Sequence, residues 1–144
     1  MSTVDDFCEE LFWSVRSNDT EVFSELANKA ESLNNIVDER RNTLIHYAAA
    51  NNALDILTFL LNKCEKEYIF KTNESGNSPL HWASLNGHIS AVRLLLDHGV
   101  SPLVENEFGS SPIDEAIKLN NTDLISLFTE YVDKLPEHTI ETDS

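Results

Sequence analysis

The block Gly76-Asn-Ser-Pro-Leu-His-Trp-Ala-Ser-Leu-Asn-Gly-His88 recurs along the chain, and that recurrence constrains the fold more than any other feature. Upstream, Thr43-Leu-Ile-His-Tyr-Ala-Ala49 repeats its centre, with His46 standing 35 residues before His81. Downstream, Ser111-Pro-Ile-Asp-Glu-Ala116 repeats it again, with Asp114 33 residues after His81. A weaker first copy, Leu11-Phe-Trp-Ser-Val-Arg-Ser-Asn18, stands in register with Leu80–Gly87. A period of this size means that one supersecondary unit is used several times. A single unit cannot hide its apolar face, but stacked units bury a continuous core. The predicted fold is therefore all-α: a solenoid of about four helix-turn-helix repeats with short, β-hairpin-like connecting loops.

Each copy carries its own local instructions. Ser78 and Ser111 are placed to cap a first helix through a side-chain oxygen, with Pro79 and Pro112 at the first helical position, where a missing N–H costs nothing. Ala48, Ala49, Ala83 and Ala116 keep that helix thin, so that neighbouring repeats approach closely. Asn18, Asn52, Gly87 and Asn120 occupy the turn between helices, where left-handed backbone favours Asn and Gly. The second helices are apolar: Val22, Phe23 and Leu26; Ile56, Leu57, Leu60 and Leu61; Val92, Leu94, Leu95 and Leu96; Leu124, Ile125, Leu127 and Phe128. This pattern predicts one domain over residues 1–132, with repeats at 5–36, 37–72, 73–105 and 106–132, and a polar tail over 133–144. The first and last repeats read as caps, since Arg16, Asp19, Glu21 and Glu25 interrupt the one and Asp114 replaces histidine in the other. The two extra residues of the second repeat are expected in the connection Cys64–Thr72.

Charge narrows the class of partner. The chain carries 25 acidic and 10 basic side chains, a net charge of -15, which disfavours direct contact with nucleic acid and favours a basic protein. No apolar run is long enough to span a bilayer, so no membrane contact is expected. Cys8 and Cys64 are too few for a disulfide framework and read as small, half-buried hydrophobes. Met1–Glu10 is acidic and lacks the pattern of a signal peptide. A monomer in the cytoplasm and nucleus, with reduced thiols and unused sequons at Asn18, Asn73 and Asn120, is the expectation.

Nothing in the sequence assembles an enzyme. No Cys/His pair has zinc-ligand spacing, and Gly76 and Gly109 open repeats rather than a phosphate-binding loop. The acids Asp5, Asp6, Glu9, Glu10, Glu105 and Glu107 read as solvated faces, because acid–base work needs a closed cleft to shift a pKa. No catalytic residue, metal or cofactor is expected.

The third block resembles the ankyrin consensus G-x-T-P-L-H-x-A-A-x-x-G-H at nearly every position. The resemblance implies that His46, His81 and His88 bond to the backbone of neighbouring loops. It also implies that partners touch the loop tips and the exposed side of the first helices. Carried over, those positions are Glu39, Arg40, Asn42, Tyr47, Ala50 and Asn51 in the second repeat. The third repeat supplies Glu74, Ser75, Asn77, Trp82, Leu85 and Asn86; the fourth supplies Glu107, Phe108, Ser110, Lys118 and Leu119. Glu39, Glu74 and Glu107 recur along one edge, and Trp13, Tyr47 and Trp82 share a column with Glu115 next in line. Two readings of that column stay open: cation–π contact with a partner's Lys or Arg, or packing between repeats. Phe108, at a tip, is the preferred anchor.

Leu80-His-Trp-Ala-Ser-Leu-Asn-Gly87, with Asn106-x-Phe-Gly109, is also similar to the small yeast-type ankyrin-repeat chaperones of the KH-domain ribosomal protein numbered three in the small subunit. That resemblance implies a dedicated chaperone, which shields a newly made basic ribosomal protein during small-subunit biogenesis. A regulatory adaptor or inhibitor of a kinase or transcription factor is the alternative.

Overall fold

The structure, a computed structural model, describes residues 3–135, with side chains from Asp6 onward. Nine helices are present among the described residues. The first pair is α1 (Thr3–Arg16) and α2 (Thr20–Lys29); the second is α3 (Leu44–Ala50) and α4 (Leu54–Lys63). A single turn, α5 (Lys66–Ile69), follows. The third pair is α6 (Pro79–Leu85) and α7 (Ile89–Asp97); the fourth is α8 (Pro112–Lys118) and α9 (Thr122–Asp133). The first helices stack in the order α1, α3, α6, α8, and the second helices in the order α2, α4, α7, α9. An antiparallel bridge joins Val37 to Thr43 in the loop before α3. The array is the stacked helix-pair solenoid that the repeat pattern predicts.

Chemistry at the start of each first helix explains the stacking. The Thr43, Ser78 and Ser111 side chains accept from the third backbone N–H of α3, α6 and α8, and the third residue returns a bond to the cap's own N–H. In α3 and α6 that third residue is His46 or His81. Nδ1 of His46 accepts from the Thr43 N–H at 3.0 Å, and Nδ1 of His81 from the Ser78 N–H at 2.9 Å. With Nδ1 accepting, the proton sits on Nε2, which donates to a carbonyl of the next repeat. His46 reaches Asn77 O at 2.8 Å and His81 reaches Ser110 O at 2.8 Å. Asp114 takes the same capping bond from the Ser111 N–H at 2.9 Å but has no proton to pass onward. Ile117, too, is 55% exposed, where Ala49 and Ser84 in the equivalent positions are fully buried.

The turns between paired helices close as expected. Asn18, Asn52, Gly87 and Asn120 lie at φ 56°, 55°, 72° and 55°. The next residue's N–H reaches back to the helix, as from Asp19 to Ser14 O at 2.8 Å and from His88 to Ala83 O at 3.0 Å, which satisfies carbonyls that the helix ends would orphan. Leu44, Leu57, Leu80, Leu95 and Leu124 are fully buried, with Ala48, Ala83 and Ala116 between them. Val22, Leu94 and Ile125, expected in that spine, are only half-buried. Pro136–Ser144, the larger part of the anticipated tail, lies outside the described residues, as do Met1 and Ser2.

The extra residues of the second repeat build rather than merely lengthen the connection. They form α5, which buries Tyr68 to 1% exposure. Its hydroxyl donates to Ile36 O at 2.6 Å and accepts from the Leu44 N–H at 3.0 Å. Tyr68 thus locks the entry to the second repeat from behind.

Two outcomes follow. Burial drops the His46 imidazole from 6.5 to about 4, so between those values the unfolded chain binds a proton that the folded chain does not. Stability is therefore full above pH 6.5 and falls as pH approaches 4, with His46 contributing about 3 kcal/mol of that loss. Urea unfolding across this range should show a shallower pH slope for His46→Gln than for the parent; identical slopes would remove His46 from the account. Separately, Arg41 sits at φ 69° where the later loops place Gly76 and Gly109, at φ 82° and 75°. Arg41→Gly relieves left-handed strain of about 1–2 kcal/mol at an entropic cost of about 0.5–1. A small rise in the unfolding midpoint is expected, and a fall would show that the Arg41 side chain contributes more than its strain costs.

Candidate interaction surface

Three loop tips project beside the first helices, and all are made the same way. Asp38, Asn73 and Asn106 each stand five residues before a capping Thr or Ser. Each accepts through one side-chain oxygen from the N–H two residues on and the N–H four residues on. The distances are 2.9 and 2.9 Å at Asp38, 3.0 and 2.9 Å at Asn73, and 2.9 and 3.0 Å at Asn106. Between these anchored positions the residues Glu39-Arg40, Glu74-Ser75 and Glu107-Phe108 are held out at the apex.

The tips are also joined to one another. The Asn73 amide donates to Asn42 Oδ1 at 2.8 Å, and the Asn106 amide donates to Asn77 Oδ1 at 2.8 Å. Backbone follows the same course, from the Glu74 N–H to Arg40 O and from the Glu107 N–H to Ser75 O, each at 3.0 Å. A Cβ added at Gly76 would stand 3.1 Å from Asn106 Cα and Glu107 N, which shows how closely adjacent tips pack. The ladder stops at the third tip, where Ser110 stands in the place of Asn42 and Asn77.

The predicted contact residues divide by exposure. Glu39, Arg40, Glu74 and Glu107 are exposed, and Phe108 is 79% exposed at the last tip. Arg40, Glu74, Ser75, Trp82 and Glu107 share a groove of about 560 Å3. Asn42 and Ser110 line the tips from within, each only 4% exposed, so they shape this surface rather than offer side chains to it. Asn77 is half-buried and engaged with Asn106. Asn51 and Asn86 are exposed and bond back to Tyr47 O and Trp82 O, both at 2.8 Å, beside exposed Leu85.

The aromatic column differs from expectation at its first member. Tyr47 and Trp82 pack edge to face with centroids 5.4 Å apart, and Phe12, not Trp13, meets Tyr47 at 5.4 Å. A step of one residue turns the side chain by about 100° around a helix, which leaves Trp13 on the solvent side, 59% exposed. Packing between repeats therefore claims Tyr47 and part of Trp82. The Tyr47 hydroxyl also donates to Asp38. Burial pushes the Asp38 carboxyl up, but bonds from Tyr47, Asn42 and Arg40 together outweigh it and hold the group below its ordinary value, so it stays charged.

Among the described residues no three His, Cys, Asp or Glu side chains converge in a way that could hold a metal. No helix among them is long and apolar enough to cross a membrane. Cys8 and Cys64 are half-buried thiols, and burial pushes Cys64 up to about 11.

A family model of three ankyrin-repeat copies matches residues 64–138, and a single-repeat model matches residues 40–69. The chain belongs to the ankyrin-repeat family. Ankyrin repeats are protein-interaction modules, and this chain is a protein-binding module of that kind. Its likeness to a chain of the crystal structure of the yeast ribosomal protein Rps3 in complex with its chaperone Yar1 has a TM-score of 0.84, at 27% identity over 95% of this chain and 99% of that one. The resemblance read from Leu80–Gly87 and Asn106–Gly109 thus reappears in three dimensions. Among curated relatives, palmitoyltransferase AKR1 of Lachancea kluyveri is 33% identical over 100 residues, 68% of this ankyrin chain but 13% of that protein. The ankyrin repeat-containing protein ITN1 of Arabidopsis thaliana is 38% identical over 88 residues, 61% of this chain and 15% of its own. The chain thus spans about one seventh of these curated relatives or less, and the likeness to the transferase is one of ankyrin repeats.

Sequence reasoning did not read Asp38, Asn73 and Asn106 as the anchors of the tips, although an Asp or Asn at a constant offset before each cap was there to be read. Asn73→Ala removes the acceptor for two amides and the donor to Asn42. It should cost about 1–3 kcal/mol and speed amide exchange over Glu74–Asn77. Unaltered exchange there would mean that the tip holds its form without the Asn73 side chain.

Proposed function

We propose that this ankyrin-repeat chain is a dedicated chaperone that binds and shields a newly made, basic ribosomal protein of the small subunit, in the cytoplasm and nucleus. The observation that carries the reading is the reach of the structural likeness. It extends over 95% of this chain and 99% of its counterpart in the Rps3–Yar1 structure, whereas the curated relatives share only a minor segment.

Charge supports the same reading. A net charge of -15, with carboxylates at the apex of three consecutive tips, suits a partner rich in Lys and Arg. Such a client aggregates or binds stray polyanions unless its cations are covered. An acidic surface covers them reversibly, and RNA, with a denser row of negative charge, displaces it. No bond is made or broken in this function; the work is done by opposite fields and by a rigid array of tips.

Mixing the purified chain with Rps3 should give a one-to-one complex that weakens as salt rises. Glu74→Lys with Glu107→Lys should lower the affinity about tenfold or more while leaving the melting temperature unchanged, since both side chains are exposed. A complex indifferent to both the salt and the double reversal would contradict the electrostatic mechanism. Purification of the chain from cells at low salt with no basic ribosomal protein attached would contradict the chaperone role.

A further inference from the structure

The outer face of α1 and the first tip line a groove of about 800 Å3 that shares no lining residue with the groove of Arg40, Glu74 and Glu107. Five carboxylates line it, from Asp6, Glu9, Glu10, Asp38 and Glu39, against one guanidinium, that of Arg16. On α1 the acids and Trp13 follow helical spacing, at positions 6, 9, 10 and 13, so they share one face. The opposite face of the same helix, through Leu11, Ser14 and Val15, is fully buried. The acidic stripe with exposed Trp13 is therefore a helix face without a partner inside the fold.

Three observations define what fits there. First, the carboxylates do not converge: no three acids among the described residues could hold a metal ion, so the groove suits charges spread along a chain rather than one cation. Second, an aromatic platform stands open among the acids. Trp13 is 59% exposed, and indole is the strongest of the aromatic faces for a cation. Third, the groove already shows the contact in miniature, with the Arg16 guanidinium 5.7 Å from the centre of the Tyr47 ring. Because Arg16 covers Tyr47, an incoming cation is left Trp13 and the free carboxylates. A phosphate backbone or an anionic bilayer would meet repulsion.

We propose that the groove between α1 and the first tip docks a Lys/Arg-rich segment of the protein partner, with Trp13 as the stacking platform and Glu9, Glu10 and Glu39 as the charge partners. This deepens, and rests on, the reading of the chain as a binder of a basic protein. It adds a second docking point, next to the groove of Glu74 and Glu107 on its N-terminal side, so that two basic stretches are held at once and affinity multiplies through the linkage.

The test uses the whole chain and a labelled peptide of Arg and Leu with its arginines at helical spacing, beside the same peptide with every Arg replaced by Gln. The Arg peptide should bind and the Gln peptide should not. Glu9→Lys with Glu10→Lys should weaken binding about tenfold or more, and Trp13→Ala about three- to tenfold. Glu25→Lys with Glu130→Lys, exposed on α2 and α9 and outside both grooves, changes the net charge by the same amount and should weaken it far less. Equal losses from the two double reversals would reduce the effect to overall charge and overturn the site, as would full affinity in Trp13→Ala. Circular dichroism and melting of each variant confirm folding, since the substituted side chains are exposed. The peptide reports on the groove even if Rps3 is not the client. Conversely, Rps3 binding that survives loss of the groove leaves the chaperone reading standing and removes only this docking point.

Discussion

A single hydrogen bond, from a buried imidazole to the carbonyl of the following loop, fixes how one repeat sits on the next. The ring does two jobs with its two nitrogens. Nδ1 takes the N–H at the start of its own helix, which forces the proton onto Nε2, and Nε2 then grips the next tip. Protonation of Nδ1 would end the first job and leave the Thr43 or Ser78 N–H without its acceptor, and burial holds both rings toward the neutral form. Because the gripped carbonyls belong to Asn77 and Ser110, the last residues of their tips, the histidine column sets the position of the surface as well as the packing of the core.

The interaction surface inherits its rigidity from this arrangement. A loop tip that projects from the helices ought to be soft, yet its amides are tied to an Asp or Asn side chain and its Asn is tied to the neighbouring tip. The acids at the apex are thus free to move only at their own side chains. A partner that docks on them pays little to order the backbone, which is where loop-based recognition usually loses affinity. Chain entropy was spent during folding, and folding drew on the leucine spine for it.

Much of this was legible in the sequence because it depends on residue types at fixed offsets. The capping Ser and Thr, the prolines behind them, the left-handed Asn and Gly positions and the thin Ala column all act within a few residues of themselves. What escaped has a different physical origin. Tyr68 matters because its hydroxyl meets Ile36 and Leu44 across more than twenty residues of chain, and no periodicity announces a plug used once. Phe12 and Trp13 are adjacent, and only the rotation of α1 against α3 decides which packs on Tyr47. Asn42 and Ser110 were rightly placed at the tips but point inward, since the polar partners that satisfy them come from neighbouring segments. The N-terminal groove belongs to the same class: α1 and the first tip are distant in sequence, and their shared space exists only once both are stacked.

Asp114 has a consequence for how such an array changes length. The third repeat hands a proton-bearing nitrogen to the fourth, and the fourth has only an acceptor to offer at the matching place. Ser110 ends the asparagine ladder at the same level, and Ile117 is too large for the slot that Ala49 and Ser84 fill. A unit copied from residues 73–105 and spliced beside itself would find a donor, an amide and a small side chain waiting on both sides. The same unit joined beyond α9 would find none of the three. An added copy is therefore accommodated between repeats and not beyond α9.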